Sequence, residues 1–438
     1  MTNGPKTFRI ITLGCKVNQY ESAYFGEALA AAGWRVAGGD ETADVVIVNT
    51  CIVTQKAAHQ SRQAVRKAIR EHPVGYVAAV GCYAQVFPEE LSEIEGLGLI
   101  ADNRMKADLP EFLTGADASF ETGLLLKPFE PGARFDAMDI SRFPGRARAY
   151  LKIQDGCESF CSYCIVPFAR GPYRSLPPEK VIRRLETLSD QGYGEVVLTG
   201  IHLGKYGVDL KGGVDLVSLL GQVGREGFPL RIRLSSIEPN ELKMELIEMA
   251  ASESWLCRHV HIPLQSGDDR VLHRMNRHYT AREFADIVEA VYTSIPHAAI
   301  GVDIMAGFPG EDSRAFDSGY SLLKDLPISY LHVFPFSPRP GTAASRFSGR
   351  VASEEIKERT ARLRALGERK QRLFYQGCLG REFSVLPERW ESREKRLMQG
   401  RSDNYLPVIF PLTRDSIQGP FRVRMEQIEG RRVIGTRV

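Results

Sequence analysis

The 438-residue sequence predicts an α/β protein with an N-terminal doubly wound α/β domain, a central partial (β/α)6 TIM-like barrel and a small C-terminal β-barrel. Three observations predict this. Apolar, β-rich runs alternate with helix-like stretches over the first 115 residues. The alternation resumes on a larger scale after Arg148, and beyond Gly377 it gives way to short β-like runs with turn residues. Strands alternating with helices build parallel sheets, whereas closely spaced short strands build barrels. With 43% hydrophobic and 25% charged residues, the composition excludes a disordered, collagen-like or disulfide-stapled chain.

In chain order, residues 8–13 (FRIITL), 45–49 (VVIVN) and 76–80 (YVAAV) are the strands of the first domain. Residues 20–32 and 57–71, rich in helix formers, lie between them. This domain spans 1–115. Residues 116–144 carry Gly, Pro and acidic residues without a sustained period, and read as a linker with one hairpin. Residues 145–376 hold strand candidates at 149–154, 195–199, 231–235, 259–263, 300–305 and 331–336, with helices such as 179–191 and 281–293 between them. Six strands suit a partial barrel rather than the eight-stranded one. A long helix, 354–376, leads into the small barrel at 377–438. The start of the chain lacks signal-peptide character, and no apolar run approaches the roughly 20 residues that span a bilayer. A cytoplasmic, soluble protein with no membrane partner is the expectation.

Eight cysteines carry the chemistry: Cys15, Cys51, Cys82, Cys157, Cys161, Cys164, Cys257 and Cys378. Without an export signal, disulfides are disfavoured, and clustered cysteines point to metal or redox chemistry. Residues 156–164 (GCESFCSYC) have the spacing Cys-x3-Cys-x2-Cys. Three thiolates on one loop can ligate three irons of a cubane cluster and leave the fourth iron open. A structural zinc site is the competing reading, but zinc sites usually show paired Cys-x2-Cys knuckles. Cys15, Cys51 and Cys82 are distant in sequence, yet each directly follows a strand candidate. Parallel strands end along one edge of their sheet, where ligands bind. These three cysteines could therefore converge on a second cluster; three buried, inert cysteines are the alternative.

The Cys157–Cys161–Cys164 motif resembles that of the radical S-adenosylmethionine superfamily. Further motifs are 13–22 (LGCKVNQYES), 49–54 (NTCIVT), Gly81-Cys82, 199–207 (TGIHLGKYG), 234–239 (LSSIEP), 261–269 (HIPLQSGDD) and 305–311 (MAGFPGE). Together they resemble the tRNA methylthiotransferase family along essentially the whole chain, and most closely its threonylcarbamoyladenosine group. The isopentenyladenosine group and the group acting on a ribosomal-protein aspartate are the alternatives, and a non-catalytic iron–sulfur RNA-binding protein is a reading from another class. The resemblance implies two [4Fe-4S] clusters and S-adenosyl-L-methionine. One cluster would sit on Cys157, Cys161 and Cys164 and form a 5′-deoxyadenosyl radical. The other, on Cys15, Cys51 and Cys82, would carry the sulfur. The radical would take hydrogen from C2 of the modified adenosine at position 37, beside the anticodon, and a second cofactor molecule would supply the methyl group. The resemblance also implies a C-terminal TRAM domain, a low-potential electron donor such as flavodoxin or ferredoxin, and a monomer.

Among cofactor contacts, Tyr163 would pack near the adenine. Gly200 stands with Thr199 where many superfamily members carry Gly-Gly-Glu, a departure from that pattern. Glu238 and Gln265, at strand ends, are either polar contacts or ordinary loop residues. From residue 351 onward there are 19 basic and 12 acidic residues. With Phe383, Trp390, Tyr405, Phe410 and Phe421, this excess fits a base-stacking module for the tRNA anticodon loop. Arg170 and Arg174 are expected near the reaction chamber. Cys257 and Cys378 are read as packing residues, and His202, His259 and His261 as core or rim histidines.

Overall fold

The computed structural model describes residues 6–115, 123–130, 132–412 and 419–438. In the N-terminal domain, β1 (Thr7–Thr12), β2 (Arg35–Val36), β3 (Val45–Thr50), β4 (Tyr76–Gly81), β5 (Leu99–Ala101) and β6 (Gly123–Leu125) form one parallel sheet in the order β2-β1-β3-β4-β5-β6. Val45 and Ile47 pack with Phe25 and Leu29 on one face, and Val46 and Val48 with Val65 and Ala68 on the other. Burial on both faces is why these strands read as unbroken apolar runs. Three short strands, β2, β5 and β6, escaped sequence reading because two or three residues carry no period. The hairpin expected in 116–144 is replaced, among the described residues, by β6 paired in parallel with β5; residues 116–122 and 131 lie outside the description.

The central part contains β7 (Arg148–Lys152), β8 (Gln154–Asp155), β9 (Arg174–Ser175), β10 (Glu195–Thr199), β11 (Arg231–Leu234), β12 (His259–Gln265), β13 (Ala299–Ala306) and β14 (Tyr330–Pro335). Six of these strands run parallel as two triplets, β7-β10-β11 and β12-β13-β14. The partial barrel is thus open along one seam: near β11 and β12 the described pairing is a single bridge, Ile232 to Leu256. Alternate residues point to opposite faces of a strand. Ala149, Leu151, Val196, Leu198, Ile232, Ile262 and Ile300 join one apolar core with residues of the surrounding helices, such as Leu185 and Val288. The intervening positions include Lys152, Glu195, Arg233, His261 and Asp303, so the other face is strongly polar.

The helix Ser353–Cys378 leads to β15 (Glu382–Ser392), β16 (Leu397–Ser402), β17 (Pro407–Pro411), β18 (Phe421–Glu429) and β19 (Arg432–Arg437). These strands close into a barrel in the order β15-β16-β17-β19-β18. Phe383 and Phe410 are buried in its core, with Trp390 and Phe421 packed against it. Phe383 and Phe410 fill the barrel and offer no stacking surface, whereas Trp390 and Phe421 remain partly exposed. The barrel docks where the central strands begin: Arg231 donates to the carbonyls of Ser384 and Arg401, and Arg233 to those of Ser402 and Asp403. Among the described residues no helix is long and apolar enough to cross a membrane.

Candidate active site

The three-cysteine loop leaves the end of β8 through Gly156, whose φ of +80° lies in the left-handed region. A Cβ there would lie 1.7 Å from the Pro172 carbonyl oxygen, so the close crossing of the two segments requires glycine. The loop tip is pinned by Asn276, which donates to the carbonyls of Ser159 and Phe160. Cys157, Cys161 and Cys164 are free thiols, all half-buried. Burial, then the neighbouring Cys161 and Cys157, push the Cys164 thiol up to about 12. Crowded, poorly solvated thiols of this kind lose their protons readily only to a metal. The donor set therefore fits an iron–sulfur cluster.

Cys15, Cys51 and Cys82 meet at the carboxyl edge of the N-terminal sheet, where β1, β3 and β4 deliver them. Gly14, at φ +94°, makes room: a Cβ on it would stand 2.7 Å from Cys51 Sγ. Asn18 donates to the carbonyls of Leu13 and Thr50, tying the Cys15 turn to the end of β3. Burial, then Cys82 and Cys15, push the Cys51 thiol up to about 11. Arg170 Nε lies 3.2 Å from Cys82 Sγ and Asn103 Nδ2 3.6 Å from it, donors suited to a thiolate rather than a thiol. This set fits a cluster by the same chemistry.

The two cysteine sets are joined by Arg170. It leaves the helix Val166–Arg170, just after the first loop, and pairs with Glu21 at 2.5 Å and Asn18 at 2.7 Å on the helix Lys16–Ala31. Lys106 and Lys152 pair with the same Glu21, and Lys152 with Asp155 at 3.0 Å. Although burial alone would raise it, Arg170, Lys106 and Lys152 hold the Glu21 carboxyl at about 2. Arg174 is buried as well and donates to the carbonyls of Arg170 and Pro172. Both arginines are buried beside the cysteine sets: Arg170 ties the central part to the N-terminal helix Lys16–Ala31, while Arg174 bonds to its own segment and to Asp155.

Comparison with known proteins bears on the whole assembly. Residues 7–100 match the Uncharacterized protein family UPF0004, and residues 151–323 the Radical SAM superfamily. The chain is 37% identical over 418 residues to the Threonylcarbamoyladenosine tRNA methylthiotransferase MtaB of Bacillus subtilis, covering 94% of this chain and 92% of that one. It is also 37% identical to the protein of the same name from Aquifex aeolicus, covering 91% and 95% of the two chains. The chain belongs to the tRNA methylthiotransferase family. Its fold also resembles that of the radical S-adenosylmethionine methyltransferase TsrM from Kitasatospora setae, solved with cobalamin and a [4Fe-4S] cluster bound. That match has a TM-score of 0.55 at 15% identity and covers 78% of this chain and 77% of that one. A radical S-adenosylmethionine enzyme with an iron–sulfur cluster is the established frame.

In this methylthiotransferase two of the four remaining expected contacts come together. Tyr163 and Glu238 belong together: Arg277 donates to the Tyr163 hydroxyl at 2.7 Å and pairs with Glu238 at 2.6 Å. Tyr163 packs edge-on against Phe308. Gly200 acts through space, because a Cβ there would lie 2.9 Å from Gln154 Oε1. That oxygen accepts from the His202 amide at 2.7 Å, while Gln154 Nε2 donates to the Gly156 carbonyl. Gln265 stands apart at a β12 irregularity with φ +66°. His202 is closer to the chemistry than expected: its Nδ1 lies 3.4 Å from Cys157 Sγ and its Nε2 2.8 Å from Glu241. His261 and His332 flank Asp303 at 2.8 Å and 3.3 Å, while His259 stacks on Tyr405. Cys257 and Cys378 are buried far from either set in sequence, as packing residues. Sequence reasoning missed Glu21, Lys106, Lys152, Glu241 and Arg277. The available signal was polar Asn18 and Glu21 sharing a helix face with apolar Val17, Tyr20 and Phe25.

Proposed function

We propose that the chain transfers a methylthio group to C2 of N6-threonylcarbamoyladenosine at position 37 of tRNA. The observation that carries the reading is the pair of three-cysteine sets, on separate domains but joined through Arg170. A single-cluster enzyme needs one set; a sulfur-inserting enzyme needs a second. In this reading Cys157, Cys161 and Cys164 hold one [4Fe-4S] cluster, and Cys15, Cys51 and Cys82 another. Bound there with S-adenosyl-L-methionine, these groups supply a substrate-abstracting radical and the sulfur and methyl for insertion.

The chain's own residues position these groups. Tyr163 and Glu238, held by Arg277, and the His202 segment, held by Gln154 beneath Gly200, would hold the cofactor, and Gln265 would add a polar group at the end of β12. Arg170 fixes the separation of the two cysteine sets. The closed C-terminal barrel takes the part of a TRAM domain and contributes positive charge for the anticodon loop. The domain divisions at 115, 144 and 376, a cytoplasmic location, a monomeric state and a flavodoxin or ferredoxin electron donor complete the proposal.

Anaerobic reconstitution tests it. The wild-type chain should bind about eight irons and form 5′-deoxyadenosine and methylthiolated nucleoside from tRNA bearing threonylcarbamoyladenosine. Cys161→Ala should lose both products. Cys51→Ala should lose only the methylthiolated nucleoside and about half the iron. Cleavage that survives Cys161→Ala refutes the site assignment, and turnover confined to isopentenyladenosine tRNA refutes the substrate.

A further inference from the structure

The functional reading leaves unassigned what distinguishes threonylcarbamoyladenosine from its isopentenyl counterpart. The difference in charge is a free carboxylate. A site that selects it needs a cation with no partner of its own, close to the cysteines that bear the sulfur.

Cations of this kind stand at the junction of the N-terminal, central and C-terminal parts around Tyr405. Arg401 lies over the Tyr405 ring at 4.4 Å and Arg233 at 5.1 Å. Lys16, the residue after Cys15, lies within electrostatic range of Tyr405, Arg148, Arg233 and Glu195, and burial pushes its ammonium below the ordinary value. The arginines of the central strands are paired: Arg148, Arg231 and Arg233 share Glu195, and Arg148 also meets Glu388. Lys16 and Arg401 have no carboxylate partner among the described residues. Arg401 keeps a buried Nε without any hydrogen-bond partner.

Two further features mark the junction as built to receive an anion. Lys16 occupies the first turn of the helix Lys16–Ala31, where the macrodipole disfavours a cation, and no acidic residue stands in that turn to offset it. Tyr405 holds a left-handed φ of +71°, a costly conformation for an aromatic residue, while stacking on His259 at 4.3 Å between ring centroids. Its phenol lies below the ordinary value although burial alone would raise it, because Arg401, Lys16, Arg148 and Arg233 surround it.

We propose that this junction binds the carboxylate of the threonylcarbamoyl group, with Lys16 and Arg401 as its counter-ions. The assignment rests on the functional reading above and supplies its specificity. Because Lys16 adjoins Cys15, a carboxylate held there keeps the modified base beside the sulfur-bearing cysteines. An RNA backbone phosphate is the other anion that could occupy the junction, and esterification of the carboxylate separates the two.

The test measures binding of fluorescent anticodon stem-loop RNAs to the full chain. One RNA carries threonylcarbamoyladenosine, the second its neutral methyl ester and the third isopentenyladenosine. Wild type should bind the acid at least about tenfold more tightly than the ester, the value of a charge-assisted contact. Lys16→Met should bring that ratio close to one, and Lys16→Arg should keep most of it. If Lys16→Met does not fold, Arg401→Met gives the same comparison. Equal binding of acid and ester by wild type gives the junction to a backbone phosphate and overturns the proposal, as does a ratio unchanged in the variants. Preference for the isopentenyl RNA over the acid overturns the functional reading itself.

Discussion

Arg170 carries an unusual concentration of roles for one side chain, since it touches Cys82, Asn18, Glu21 and Asp155 while fully buried. A buried charge is tolerated only with partners, and removing one member of such a network strands the others. Arg170→Met should therefore destabilise the protein by about 3–5 kcal/mol, measured by urea unfolding, and lower iron retention by the Cys15 set. Unchanged unfolding and iron content would contradict the strut role. The sequence showed Arg170 as a basic residue near the cysteine loop, and nothing local distinguishes a strut from an RNA contact. Its partner Glu21 lies 149 residues away. Cysteine positions, by contrast, were legible because cluster ligation depends on short spacing in one set and on strand ends in the other.

At the scale of elements, β10 and β11 carry their own polar pairing on the face turned away from the helices. Glu195 on β10 binds Arg231 at 2.6 Å and Arg233 at 2.8 Å on β11. Against the effect of burial, Arg233 and Arg231 hold its carboxyl well below the usual range. A depressed carboxyl stabilises the fold fully above its unfolded-state value, about 4.3, and loses that contribution as pH falls below it. Glu195→Gln should cost about 3–5 kcal/mol near neutral pH, and the gap to wild type should narrow in acid; a gap constant with pH would refute the assignment. The Cys157 loop offers a second element-level prediction. Gly156→Ala forces a Cβ against the Pro172 carbonyl at 1.7 Å, so reconstituted iron should fall by about half, to the content of the other set. Full iron content would contradict the claim that this crossing shapes the loop. The strands themselves were readable from their apolar runs. The charged faces they turn inward were not, because Glu195 and Arg233 gain meaning only when β10 and β11 lie side by side.

Across the whole molecule, buried charge joins apolar contacts such as those of Tyr20, Ile165 and Ala169 where the parts of the chain meet. Arg170 links the first domain to the second, and Arg231 and Arg233 grip carbonyls of the third. Sequence patterning separated the α/β part from the β-rich C-terminal part and showed the basic excess of the latter. It could not reveal that Phe383 and Phe410 fill the barrel core, since an aromatic in a short strand reads alike whether it faces in or out. Nor could it place Lys16 beside Tyr405, residues from opposite ends of the chain. In the proposed function, these long-range meetings make two cysteine sets and a basic barrel parts of one site. The most direct test is nucleoside mass spectrometry of tRNA from a strain lacking this protein. The account predicts that 2-methylthio-N6-threonylcarbamoyladenosine disappears while its unthiolated precursor accumulates and 2-methylthio-N6-isopentenyladenosine is untouched. Persistence of the methylthio threonylcarbamoyl nucleoside in that strain would contradict it.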